Sequence, residues 1–170
     1  MQALAEHSGL LESGATTVDA LLEEPEFQRI ADNYAVEAQR EALLERARML
    51  AYALAGTLCS GGLTIMQKSR VERVIRELDP ADVLQLYEVS LVHIEQSEID
   101  GFDRDAIKRL ELLDQRPSSR DILRASGCID VVSNGGLDGG VLYAHITTIG
   151  RDVLEILRGY TQAPKAEPPA

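Results

Sequence analysis

The chain contains no tryptophan, two phenylalanines, three histidines and two cysteines in 170 residues. With so few aromatics, its core has to be built mainly from aliphatic side chains. Cys59 and Cys128 lie far apart in sequence, each in an apolar context, which excludes a disulfide framework and leaves two buried thiols. Cys59, His93, Cys128 and His145 lack the paired spacing of a zinc site, and His93 reads as a packed or half-exposed side chain rather than a ligand, so no metal is expected. No apolar run is long enough to cross a membrane. The opening "MQALAEHSGLLESG" has neither the basic start nor the apolar core of a signal peptide, and a cytoplasmic location follows. No serine, histidine and acid form a nucleophile motif, and no glycine-rich loop leads from a strand into a helix. Acidic pairs such as Glu23 and Glu24 read as a solvated face. A non-enzymatic protein without a cofactor is therefore expected.

What the chain has is acid, unevenly spread. The net charge is −11. Residues 1–102 carry 18 acidic and 8 basic side chains, and residues 103–160 carry 9 and 8. The front would repel phosphate and membrane surfaces alike, so any anion-binding role belongs to the C-terminal part.

The front reads as helical. Thr17 offers a cap before a short turn, and Pro25 takes a first helical position. From there Phe27, Ile30, Tyr34, Ala38, Leu44, Ala47, Leu50, Ala51, Leu54 and Leu58 follow three-and-four spacing, which predicts one long helix or two nearly continuous ones. A helix of that length suggests pairing with a second copy, and a homodimer through this element is expected. "CSGGLT" stops the helix and offers Thr64 as the next cap, ahead of Ile65, Val71, Val74, Ile75 and Leu78. Asp79 and Pro80 then start a third helix to about Ser97, with Val83, Leu84, Leu86, Tyr87, Leu91 and Ile94 as its buried stripe.

"DRDAIKRLELLD" predicts a fourth helix with Ile107, Leu110 and Leu113 inward, and "RPSSRDILRASG" a fifth in which Ile122 and Leu123 bury and Gly127 closes. Two short helices with a tight connection are what a helix-turn-helix requires. Ile129 and Val131 alternate with Asp130, and Leu142, Ala144 and Ile146 alternate with Tyr143 and His145, as half-buried strands do. "NGGLDGG" between them supplies hairpin-loop residues. A phosphate cradle would join a strand to a helix and place a lysine nearby, and neither holds here. Thr147 or Thr148 caps a last helix containing Ile149, Val153, Ile156, Leu157 and Tyr160.

"ILRASGCIDV", running from helix to strand, and "YAHITTIGRDVLEIL", a strand ending in threonine before a glycine and the last helix, resemble a winged helix-turn-helix domain. The front half is similar to helical segments that precede such tails in uncharacterised bacterial and phage-associated proteins. The expected fold is mainly α: an acidic helical region over 1–79, a winged-helix-like domain of three helices, a β-hairpin and a closing helix over 80–160, and a polar, disordered tail over 161–170.

The resemblance implies that residues 118–126 form a recognition helix. Arg120 and Arg124 lie four apart on one face, Arg116 extends the patch, and Ser118 and Ser119 are placed to donate to a partner's oxygens. Asp121 interrupts that face, and the wing holds Asp138 and no basic residue. Two functions follow as expectations: a non-catalytic interaction or regulatory module that docks a protein partner, and a transcriptional regulator that reads DNA through the same helix.

Overall fold

The computed structural model describes residues 23–40, 44–92, 104–133 and 142–163. It is mainly helical, with eight described helices and one two-stranded antiparallel sheet. In chain order these are α1 (Pro25–Arg40), α2 (Leu44–Cys59), α3 (Ile65–Glu77), α4 (Pro80–Ser90), α5 (Arg104–Asp114), α6 (Pro117–Ala125), β1 (Ile129–Ser133), β2 (Leu142–Ile146), α7 (Thr148–Ile156) and α8 (Arg158–Gln162). No helix among the described residues is long and apolar enough to cross a membrane. The Thr17 cap, Ser97, His93, Ile94, Asp138 and residues 164–170 lie outside the described residues.

The chain divides into two packed units. One combines the residues up to Arg76 with those from Glu155 onward, and the other runs from Glu77 to Leu154. The residues from Glu155 onward thus group with the front of the chain. Thr161 and Gln162, expected in the polar tail, belong to α8.

In the first unit the stretch expected as one long helix or two nearly continuous ones is two helices, folded against each other rather than nearly continuous. Helices α1 and α2 pack against each other, which a continuous rod cannot do, and α8 packs on α2. Phe27, Ile30, Tyr34 and Leu50 of the stripe expected to pair with a second copy are buried within the chain, together with Met49 and Ala53, whereas Ala51 of that stripe is exposed. Leu44, placed on that stripe by a single continuous wheel, is 84% exposed. The α3 terminus has a reciprocal cap: the Thr64 hydroxyl accepts from the Gln67 amide at 3.3 Å, and the Gln67 side chain accepts from the Thr64 amide at 2.9 Å. Glu72 of α3 is fully buried, and its carboxylate meets Asn33 at 3.1 Å, Arg76 at 3.2 Å and Arg29 at 3.5 Å. Opposite charges and a hydrogen bond compensate its desolvation.

In the second unit α4, α5 and α6 pack on one another, β1 packs on α6, and β2 packs on α5. The strands pair Ile129 with Ile146, Val131 with Ala144 and Ser133 with Leu142, so the alternation read from the sequence falls on one face. Leu86, Val89, Leu113, Leu123, Cys128, Ile129, Ala144 and Val153 are buried in this unit. Leu91 is 55% exposed and not part of the α4 stripe. The helix ends at Ser90, so the 3.6-residue wheel does not extend to it.

Candidate functional site

The α6 helix is positioned from both sides by backbone chemistry. Upstream, buried Gln85 of α4 donates through Nε2 to the carbonyls of Leu112 and Leu113 at 3.1 and 3.2 Å, satisfying acceptors that the end of α5 leaves open. Only Gln115 and Arg116 separate α5 from α6, with turn bonds from their amides to Leu112 and Leu113 at 3.3 and 3.2 Å. Pro117 takes the first helical position, as the sequence predicts.

Downstream, α6 ends in a paired closure. The Gly127 amide donates to Arg124 at 3.0 Å and the Cys128 amide to Leu123 at 2.9 Å, with Gly127 at φ +76°, a conformation that favours glycine. Thr147 locks this closure to the start of α7. Its amide donates to the Cys128 carbonyl at 3.1 Å, its hydroxyl donates to the Gly127 carbonyl at 2.6 Å, and the same oxygen accepts from the Gly150 amide at 3.1 Å. Thr147, Gly127 and Gly150 thus meet at one junction. Burial pushes the Cys128 thiol up, and the Ser126 hydroxyl on its sulfur offsets part of that rise.

Helix α6 presents its residues in rows. Arg120 and Arg124 lie four residues apart along one edge, Arg116 sits at the cap position just ahead of the helix, Pro117 and Asp121 form the next row, and Ser118, Ile122 and Ala125 the far edge. Arg116, Ser118 and Arg124 are exposed. Among the described residues neither Arg116 nor Arg124 has an ion-pair partner. Ser119 is 6% exposed and turned inward beside fully buried Leu123, so it is not available to a partner. Ile122, expected in the core, is 37% exposed, because a helix that directs Ser119 and Leu123 inward carries its neighbour to the rim.

Arg120 is engaged within the chain. Its Nη1 donates to Asp114 at the end of α5, and its Nε and Nη2 both lie 3.2 Å from Oδ1 of Asp121. The hydrogen bond to Asp114, and then that to Asp121, raise the guanidinium's pKa further. The sequence marks Asp121 as an interruption of the basic face. It does not mark Asp114, whose role depends on the tight turn that folds α5 back beside α6.

No three His, Cys, Asp or Glu side chains converge on a metal-sized point among the described residues. Both cysteines are free, Cys59 half-buried and Cys128 buried. One polar residue that the sequence leaves unremarked is Lys68 of α3, 4% exposed, whose ammonium burial pushes below the ordinary lysine value, with Cys59 and Glu155 partly opposing that shift. The chain matches no family model, no curated protein and no solved structure.

Proposed function

We propose that this chain is a non-catalytic interaction or regulatory module in which residues 77–154 form a winged-helix-like unit used for protein contacts. The arrangement supporting that fold is the mutual packing of α4, α5 and α6, followed by a hairpin whose strands rest on α6 and α5. The observation that carries the functional reading is the state of Arg120. A recognition helix gripping DNA needs free cations along its phosphate-facing edge, and here the middle cation is held by two carboxylates. The three arginines of the row and the two aspartates on Arg120 together carry a net charge of +1. The unit as packed, residues 77–154, holds 7 basic and 15 acidic side chains, a balance of −8. A field of that sign opposes a polyanion. A protein partner needs only separate polar contacts and accommodates an exposed Ile122.

A second reading, a DNA-binding regulator, is favoured by one observation: Arg116 and Arg124 are exposed at either end of the row. Fluorescence anisotropy of labelled random and genomic duplex pools at two salt concentrations separates the readings. The proposal expects no salt-sensitive binding at the lower salt. Binding that falls steeply with salt and is lost in an Arg116→Ala, Arg124→Ala double variant overturns it in favour of the regulator.

A further inference from the structure

Asp114 and Asp121 sit where helix energetics disfavour them. Asp114 is the last residue of α5, where the negative end of the helix dipole repels a carboxylate, and Asp121 lies in the interior of α6, where aspartate is a weak helix former. Neither is required for the core, since their side chains are 53% and 69% exposed. Both meet the same guanidinium, the middle one of the arginine row. Two locally unfavourable acids from two elements therefore converge on the one cation that would make the row continuous.

We infer that Asp114 and Asp121 are specificity determinants of the α6 face: by holding Arg120 they keep nucleic acid off it and leave Arg116 and Arg124 to two spaced carboxylates of a protein segment that is not itself polyanionic. This rests on the reading of residues 77–154 as a protein-docking unit. Nucleic acid presents an unbroken line of phosphates, which has to pass Asp121 and Asp114 to reach all three arginines. A protein segment places a carboxylate at each end of the row, about 12 Å apart along the helix axis, and leaves the middle alone.

The test is a gain of function in the full chain. An Asp114→Asn, Asp121→Asn double variant frees Arg120 and raises the local balance from +1 to +3. Labelled duplex DNA, which the proposal expects the wild type not to bind at low salt, is expected to bind this variant at least about tenfold more tightly than wild type, with a steep loss on adding salt. Adding Arg120→Gln is expected to return binding to the wild-type level. Thermal melts followed by circular dichroism check the fold, and Asp121→Asn alone serves if the double variant melts early, with a smaller gain of the same sign. If wild type and both variants all fail to bind DNA, or if the gain survives Arg120→Gln, the inference is overturned while the protein-docking reading stands. If wild type binds DNA as tightly as the double variant, both fall.

Discussion

A methyl group at Gly56 would sit 1.7 Å from the carbonyl oxygen of Ile156, and one at Gly150 would sit 2.2 Å from that of Cys128. Backbone lies opposite both positions, so no side chain can swing away. Gly56→Ala and Gly150→Ala are each expected to cost about 3 kcal/mol in urea denaturation, near the upper end for overpacking. Gly61→Ala, with nothing within 4 Å, is the control and should stay within about 0.5 kcal/mol of wild type. A loss below about 1 kcal/mol at Gly56 would contradict the close approach. Lys68 acts in the opposite direction, since burial disfavours its charge. Its folded pKa lies below its unfolded one, so at pH values between the two the unfolded state binds more protons and stability rises with pH. The cost is fully present below the folded value. Lys68→Met is accordingly expected to raise Tm at neutral pH by about 2–4 °C, for a gain of about 1 kcal/mol, and to flatten the alkaline rise in stability. An unchanged or lower Tm would show that the buried amine is compensated.

Elements whose ends are fixed by local chemistry were legible in the sequence: the Thr64 cap, the Asp79 and Pro80 start, Pro117, Gly127 and the strand alternation all appear where residue type alone places them. Two helices were one of the alternatives the spacing gave from Pro25 onward, but the place of the break between α1 and α2 and their folding against each other were not legible. Ala38 to Leu44 contains no proline or glycine, and the separation follows from burying two apolar faces on each other, a tertiary gain that helix propensity does not register. The single-wheel reading consequently placed Leu44 on the stripe and passed over Met49, Tyr52 and Ala53, all buried in α2. Ile122 was misplaced for a related reason, because adjacent helical residues point about 100° apart and Leu123 takes the inward direction. The junction at Thr147 carries its own test. Thr147→Val keeps the shape but removes both the acceptor for Gly150 and the donor to Gly127, and a loss of about 1–2 kcal/mol is expected. A neutral result would mean that the closure of α6 does not depend on α7.

Across the whole molecule, the charge split drawn from the sequence changes once packing decides the boundaries. Residues 103–160 look nearly neutral, yet the packed unit begins at Glu77 and brings with it seven acids and no base before residue 103. The arginine row was legible as spacing, and Asp121 as its interruption. The inward turn of Ser119 and the capture of Arg120 by Asp114 were not, because both depend on how α5 and α6 fold back on each other. The central claim is that the exposed face of α6 meets protein and not nucleic acid. Its most direct test is a photo-crosslinking amino acid at Ser118, exposed on that face, activated in cells producing the full chain. The account predicts a protease-sensitive, nuclease-resistant adduct that is lost when Arg116 and Arg124 are changed to Glu. A nuclease-sensitive adduct, or one indifferent to those two charges, would contradict it.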